Sequence, residues 1–279
     1  VAPSGIPAVP LPSKPVDYQT AEGQNIRVSV VARGLVNPWC LQFLPDGAVL
    51  VTERTGRVRI VRNGTLDPAP VAGVPAVRSA GLCGLFDVAL HPRFAENGYV
   101  YLTYDKPRGE RGSVLAVARG KWDGRAMTGI SDIFVAEGAS CVSRMVFGRD
   151  GMLYVSTFGA NGNAAQEPDS YAGKVLRLRD DGTAAPDNPF AGKAGYKPEI
   201  FTLGHRSTQG LGVHPATGQI YEIEMGPNGG DEINVLRAGG NYGWPLVSHG
   251  RTYPGPWQSA HQRDGCESPS VFWMPSISV

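Results

Sequence analysis

One pattern, a turn ending in glycine followed by an alternating β-rich run, occurs four times: Asp46-Gly47 before AVLVTE, Asn97-Gly98 before YVYLTY, Asp150-Gly151 before MLYVST, and Thr217-Gly218 before QIYEIE. Successive turns lie 51, 53 and 67 residues apart. Asp-Gly and Asn-Gly favour type I′ turns, in which both central residues have positive φ, and such turns join antiparallel strands. A second short strand is predicted after each run, at 58–62, 113–118, 174–178 and 232–236.

A unit of roughly 50 residues built from short antiparallel strands is typical of a propeller blade. A β-sandwich also repeats strands and turns, but it gives no reason for a near-constant interval. We therefore predict an all-β, six-bladed β-propeller type of fold, with an N-terminal arm at 1–24 and a partial propeller at 25–279. The repeat leaves room for about four to five blades, whereas six need roughly 300 residues. Because a propeller closes to remove its edge strands, we expect the missing C-terminal blades outside this chain, for example on a separate companion fragment.

Composition excludes several classes of protein. The 26 Lys and Arg nearly cancel the 25 Asp and Glu, which leaves a net charge of +1 and argues against a nucleic-acid partner. The 37 Gly and 23 Pro disfavour a helical bundle. No segment approaches the roughly 20 apolar residues that span a bilayer.

The four cysteines are Cys40, Cys83, Cys141 and Cys266, and none forms a CxxC pair. A thiolate zinc site is therefore not expected, but disulfides are permitted in an oxidising compartment. The start at Val1 has neither Met nor a charged-then-apolar leader and is typical of a mature or trimmed N-terminus. Together these features predict a periplasmic or secreted protein.

Further motifs follow one another in a definite order: NPW (37–39), FLPDG (43–47), GLFDVALHP (84–92), GKVLRL (173–178), LGHR (203–206), QGL (209–211), EMGPNGGDEIN (224–234) and GNYGWP (240–245). With these motifs the chain resembles the soluble quinoprotein glucose/sorbosone dehydrogenase family, which includes the aldose sugar dehydrogenases. The resemblance implies a six-bladed propeller that uses pyrroloquinoline quinone (PQQ) and calcium. It also implies a small-molecule sugar or alcohol as substrate and a soluble electron acceptor.

The resemblance assigns roles to five residues. Arg206 matches an arginine that contacts PQQ, and a guanidinium fork suits carboxylate and quinone oxygens. Gly226 and Pro227 match backbone carbonyls that bind the calcium beside PQQ, and oxygen donors suit this ion. Glu232 and Tyr242 match positions that hold a second, structural calcium in some relatives. The alternatives are an arginine that ties a loop to a blade edge and a Gly-rich hairpin with solvated carboxylates.

The positions expected to be catalytic differ from the family pattern. The general-base histidine of relatives corresponds to Ser140, the active-site glutamine to Leu82, and an acidic residue to Ala160. Histidine suits proton removal because its pKa lies near neutrality, and a serine without a paired base cannot replace it. The catalytic residues are therefore unknown at this stage.

Cys83 and Cys141 lie next to two of these positions, which face each other in relatives. We expect the two cysteines to be close together, as a disulfide or as a soft-metal pair. With His205 and Met225 nearby, the second alternative would suit copper. A third alternative is two small, buried apolar side chains.

Two functions are compatible with these features. The first is a PQQ- and calcium-dependent oxidoreductase that oxidises an aldose sugar or related alcohol. The second is a divergent propeller that has lost the histidine-based chemistry and acts as a binding module or a different enzyme, completed by a separate C-terminal fragment. Retention of Arg206 and of the Gly226-Pro227 turn favours the first, whereas the changes at Ser140 and Leu82 favour the second.

Overall fold

The computed structural model describes residues 10–110, 112–159, 162–251, 253, 255 and 261–279. Within these ranges the chain forms a two-stranded hairpin and four sheets of four antiparallel strands each. Among the described residues, none lies in a helix long and apolar enough to cross a membrane.

The bounds of the elements are as follows. The hairpin contains β1 (Val16–Gln19) and β2 (Asn25–Val28); blade 1 contains β3 (Pro38–Phe43), β4 (Val49–Glu53), β5 (Arg57–Arg62) and β6 (Thr65–Leu66); blade 2 contains β7 (Leu85–Leu90), β8 (Tyr99–Arg108), β9 (Gly112–Trp122) and β10 (Met127–Ala136); blade 3 contains β11 (Met145–Phe147), β12 (Leu153–Ser156), β13 (Lys174–Leu178) and β14 (Ile200–Leu203); blade 4 contains β15 (Thr208–Val213), β16 (Ile220–Glu224), β17 (Asp231–Val235) and β18 (Val271–Trp273). Helical structure in the described ranges consists of α1 (Phe94–Asn97) and a 3₁₀ turn at Ala164–Gln166.

Each blade is a meander in which consecutive strands pair. The first strands of successive blades, β3, β7, β11 and β15, contact one another. They line a cavity of about 530 Å³, as expected for strands around a central channel. The prediction of an all-β propeller is confirmed, and four blades are described. The count of six blades and the domain boundary at residue 25 stay predictions; the β1–β2 hairpin spans that boundary.

The hydrophobic core lies between the blades, and alternate residues of one strand face opposite neighbours. On β9, Leu115 and Val117 pack towards blade 3, whereas Ala116 and Ala118 pack towards blade 1. Because successive side chains of a strand point to opposite faces, a strand covered on both sides is apolar throughout. This explains why the run at 114–118 shows no polar alternation.

The turns differ from the sequence-based prediction. Gly47 and Gly151 have φ of +83° and +75°, but Asp46 and Asp150 do not have positive φ. The type I′ prediction is therefore wrong. Instead, the Asp46 and Asp150 carboxylates each accept the N–H two residues further on, at 3.0 and 3.1 Å. Such a bond holds the aspartate in an ordinary turn conformation. Only the glycine then needs a left-handed backbone conformation.

Replacing Leu115 by alanine tests the packing between blades. Leu115 is 1% exposed, and deletion of such a side chain costs about 2–5 kcal/mol through lost burial and the cavity left behind. We expect urea denaturation to show this loss in the free energy of unfolding. The control is Leu11→Ala, at a side chain that is 55% exposed, which should change it by less than about 0.5 kcal/mol. Equal effects of the two variants would contradict the packing described here.

Candidate functional site

The connection from β14 to β15 places Arg206 against the loop that follows β16. Its Nη1 donates hydrogen bonds to the carbonyls of Met225 and Gly226 at 2.8 and 3.0 Å. Its backbone N–H donates to Glu224 Oε2 at 2.7 Å, and the guanidinium carbon lies 5.3 Å from the Trp244 ring centre. Its Nε is buried and has no hydrogen-bond partner among the described residues. This donor of the half-buried guanidinium therefore lacks a partner that an anionic or carbonyl oxygen could supply.

Gly226 and Pro227 form a tight turn whose shape requires glycine. A side chain at Gly226 would collide with the carbonyl oxygens of Gly229 and Gly230. The carbonyl of Gly226 already accepts the Nη1 bond from Arg206. A carbonyl oxygen has two lone pairs, so this bond leaves one for another partner. The structure thus brings the predicted quinone-binding residue and a predicted calcium ligand together at one oxygen.

Glu232 lies on β17, and Tyr242, the other residue predicted for the second calcium, lies in the segment that follows that strand. The Tyr242 hydroxyl donates to Val235 O at 2.7 Å and accepts from the Arg237 N–H at 2.9 Å. Its ring stacks on the His205 imidazole, with centroids 4.8 Å apart. The Tyr242 side chain is therefore committed to packing and to the far end of β17, and the assignment of this pair to calcium stays a prediction.

Blade 4 buries four carboxyl groups, at Glu222, Glu224, Asp231 and Glu232. Burial raises the pKa of Glu224 to about 7. Burial, and next the charge of Glu224, raise the pKa of Glu232 to about 8. Burial also lowers the pKa of the nearby Arg206 guanidinium. No role was predicted for Glu222 or Glu224 from the sequence. The available signal was the occurrence of two glutamates at alternate positions of QIYEIE, which places them on one face of a strand.

Cys83 and Cys141 form a disulfide. It joins the loop before β7 to the loop before β11, with the Asp105 carboxylate beside it. That carboxylate accepts the backbone N–H groups of Gly84 and Cys141 at 2.9 and 3.0 Å, and burial raises its pKa. The sequence left three alternatives for Cys83 and Cys141, and the structure contains the disulfide. Asp105 was missed because nothing in its local sequence distinguishes it from a strand-end aspartate.

The other partners of the copper alternative are elsewhere. His205 belongs to a separate cluster with Glu222 and Glu224, and Met225 presents its backbone carbonyl to Arg206. Two sulfurs already bonded to each other cannot act as thiolate ligands. The structure therefore does not assemble the copper set.

Leu82 and Ser140 flank the disulfide at the positions where the family resemblance places a glutamine and a histidine. Leu82 is 58% exposed, and Ser140 is half-buried, with its Oγ 3.8 Å from Cys141 Sγ. Ala160 lies outside the described residues. Neither Leu82 nor Ser140 can remove a proton near neutral pH, so this edge of the site has no base at the expected positions.

An ion pair that was not predicted from the sequence lies beside the central channel. Arg144 Nη1 donates to Asp87 Oδ1 at 2.9 Å, and the Met145 N–H donates to the other oxygen of Asp87 at 2.7 Å. The guanidinium lies 4.9 Å from the Trp39 ring centre. These contacts join the first strands of blades 1, 2 and 3 around the channel. Only the packing of successive blades brings together residues so far apart in sequence.

Comparison with known proteins adds independent information. The family model described as glucose/sorbosone dehydrogenase matches residues 35–279. The chain is 35% identical to the aldose sugar dehydrogenase YliI of Escherichia coli, over 91% of this chain and 72% of that protein. It is 32% identical to quinoprotein glucose dehydrogenase B of Acinetobacter calcoaceticus, over 85% of this chain and 56% of that protein.

Solved structures agree with this similarity. The apo form of the soluble aldose sugar dehydrogenase of Escherichia coli superposes with a TM-score of 0.84 and 34% identity, covering 89% of this chain and 75% of that one. The PQQ-bound form of an aldose sugar dehydrogenase from Streptomyces coelicolor gives 0.74 and 28%, covering 95% of this chain and 73% of that one. Both likenesses extend over most of the chain described here.

Removal of the disulfide tests its part in the stability of the site. It closes a segment with a sequence separation of 58 residues, and a loop of this size corresponds to about 2–4 kcal/mol. We expect the double variant Cys83→Ser, Cys141→Ser to lose about that much free energy of unfolding in urea. The control, Cys40→Ser, changes one of the two free thiols.

Thiol titration of the denatured, unreduced protein gives a second measurement. Two titratable thiols, those of Cys40 and Cys266, are expected. Four would contradict the disulfide.

Proposed function

Because the chain belongs to the glucose/sorbosone dehydrogenase family, we propose that it is a PQQ- and calcium-dependent oxidoreductase that oxidises an aldose sugar or a related alcohol. The observation that carries the proposal is the buried Arg206 Nε, a cationic donor without a partner among the described residues. The named relatives are an aldose sugar dehydrogenase and a quinoprotein glucose dehydrogenase, and one solved relative contains PQQ.

The residues around Arg206 fit a planar, anionic quinone. Bonds to the Met225 and Gly226 carbonyls hold one edge of the guanidinium, which leaves Nε for a ligand oxygen. Hydrogen bonds between a charged donor and an oxygen anion are about twice as strong as neutral ones. The Trp244 ring on the other side of the guanidinium supplies an aromatic surface. Arg206 would therefore hold and orient the cofactor.

The nearby loop fits calcium in its chemistry and charge. The carbonyls of Gly226 and Pro227 are oxygen donors of the kind that Ca²⁺ prefers. A divalent cation beside the buried carboxyl groups of Glu224, Asp231 and Glu232 would favour their ionised form. Gly226 O would share its two lone pairs between the guanidinium and the ion. We propose Glu232 and Tyr242 as the residues that would hold a second calcium.

PQQ, when bound, supplies a two-electron acceptor for the hydride that leaves the carbon of the sugar hydroxyl. The chain's own residues bind and orient the sugar, and the hydroxyl proton needs a base to accept it. At the mouth, Leu82 offers an apolar surface and Ser140 a hydroxyl that binds a sugar oxygen but does not remove its proton. We therefore propose that proton removal by water limits the rate.

The second candidate, a propeller that binds a sugar without oxidising it, is favoured by the same two positions. Leu82 and Ser140 are both unable to act as a base, and the disulfide between Cys83 and Cys141 holds the two loops in place. A rigid, base-free mouth suits binding at least as well as turnover. Reconstitution with the cofactor distinguishes the two candidates.

Three further features belong to the proposal. The disulfide suits an oxidising compartment, which supports a periplasmic or secreted location. We also propose a soluble electron acceptor and a companion C-terminal fragment that completes a six-bladed ring. Intact-mass analysis of the denatured, purified complex tests for such a fragment.

Substitution of Arg206 tests the cofactor assignment. The purified protein is mixed with PQQ and Ca²⁺ and dialysed, and the retained quinone absorbance and dye reduction with several aldoses are then measured. We expect Arg206→Ala to lower quinone affinity about 10-fold or more, since a charged hydrogen bond contributes about 1.5–3 kcal/mol. The control is Arg93→Ala, at a side chain 68% exposed, which should bind as the unsubstituted protein does. Retained quinone without dye reduction would support the binding module, and no retained quinone in the unsubstituted protein would refute both the PQQ and the dehydrogenase assignments.

Introducing a histidine tests whether the missing base limits the rate. We expect Ser140→His to increase kcat for aldose oxidation, because general-base catalysis typically contributes about 10²–10⁴-fold. The variant should also acquire a kcat that falls as pH drops through about 6.5, where an unperturbed imidazole becomes protonated. A variant with unchanged kcat and quinone affinity would contradict proton removal as the limiting step.

A further inference from the structure

A cluster of three metal-ligating side chains lies where blade 3 connects to blade 4, next to the loop predicted to hold calcium. His205 follows β14, and Glu222 and Glu224 lie two residues apart on β16. Their ligand atoms are all within 4.8 Å of one another. The three side chains are 0%, 0% and 4% exposed, so solvent does not satisfy them.

The histidine is oriented as metal-bound histidines are. Its Nε2 lies 2.8 Å from Thr202 Oγ1, and its ring is stacked on Tyr242. Its Nδ1 lies 3.8 Å from Glu222 Oε2 and has no hydrogen-bond partner among the described residues. In the tautomer that a metal ligand needs, Nε2–H donates to the threonine and the imidazole lone pair lies on Nδ1, on the side of Glu222. A hydroxyl or carbonyl on the second ring nitrogen is the usual way in which a protein fixes the tautomer of a metal ligand.

The two carboxylates are oriented in the same way by outer partners. Glu222 Oε2 accepts a hydrogen bond from Asn234 Nδ2 at 3.0 Å, while its Oε1 has no partner among the described residues. Glu224 Oε2 accepts the Arg206 N–H at 2.7 Å. Glu222 is therefore held by Oε2 and has an Oε1 without a partner in the described part of the chain, while Glu224 is held by the backbone of the loop that carries Arg206.

The buried carboxyl groups around the cluster also favour a bound cation. Glu232 lies across from Glu224 in the ladder between β16 and β17, which adds a third buried carboxyl group. The Arg206 guanidinium is directed at backbone carbonyls rather than at these groups. Buried ionised carboxylates cost several kcal/mol each unless they are paired or coordinate a metal. A lone pair on nitrogen facing two such groups adds repulsion that only a cation or a proton removes.

We propose that His205, Glu222 and Glu224 bind a divalent transition-metal ion, for which Zn²⁺ is the best match. One imidazole nitrogen and two carboxylate oxygens form a mixed set that suits Zn²⁺, whereas Ca²⁺ prefers oxygen alone. Ligands of a tetrahedral zinc ion are about 3.4 Å apart, given bonds of about 2.0–2.1 Å, so small rotations of the glutamates complete the geometry. The ion would tie the loop that carries Arg206 to β16, a structural role that does not depend on the function proposed above.

Metal analysis of the unsubstituted protein is the first test. Protein purified without chelator is expected to hold about one zinc ion per chain. Removal of zinc by a chelator should lower the melting temperature, and adding Zn²⁺ should restore it. Replacement by Co²⁺ should give a visible absorption band, a readout that needs no variant. Absence of stoichiometric metal together with no shift on adding Zn²⁺ would refute the site, as would stabilisation by Ca²⁺ alone.

Variants locate the ion. Glu222→Gln keeps the shape of the side chain and should lose the Zn²⁺-dependent shift in melting temperature. Thr202→Val removes only the outer hydrogen bond and should weaken zinc affinity about 10–100-fold. The control Glu96→Gln changes a glutamate whose side chain is 68% exposed and should retain both zinc and the shift. Undiminished zinc affinity in Glu222→Gln and Thr202→Val would refute the assignment.

Discussion

Apolar packing between neighbouring blades is the constraint on which the rest of the structure depends. On β9 alternate residues such as Leu115 and Ala116 belong to the cores on opposite sides of the same sheet. A sheet that is apolar on both faces must be covered twice, and neighbouring blades provide that cover. Because each blade is also twisted, the blades follow one another around an axis. The first strands then line a channel, and the loops between blades carry the candidate site.

Blade 4 departs from this apolar packing. Its strands β16 and β17 bury carboxylates at Glu222, Glu224 and Glu232 where a purely structural blade would bury apolar side chains. Such positions reduce stability unless a cation or a proton compensates. Arg206 lies at the edge of this group and takes its orientation from the same loop. The cations proposed above would offset the free-energy cost of burying these carboxyl groups, and Arg206 would bind the anionic ligand.

The mouth of the site has a different character. The Cys83–Cys141 disulfide, Asp105 and the exposed Leu82 form a rigid edge without a base at the expected position. Family membership therefore establishes the scaffold and an oxidoreductase, while the roles of the residues at this edge are part of the proposal. A shared fold does not determine function, which depends on the residues of the site.

The sequence by itself determined the blades, because strand period and glycine turns are local properties that a single chain displays. Through the family resemblance of continuous motifs it also predicted a cofactor site at Arg206 and the Gly226 turn, and it left a few alternatives for Cys83 and Cys141, of which the disulfide is formed. It did not reveal the Arg144–Asp87 pair, the role of Asp105, or the meeting of His205 with Glu222 and Glu224. These three features depend on strands from different parts of the chain. Only the packing of the blades against one another sets the distances between those strands. The turn geometry was likewise decided by contacts, since a side-chain hydrogen bond from each aspartate overrode the general preference of Asp-Gly pairs.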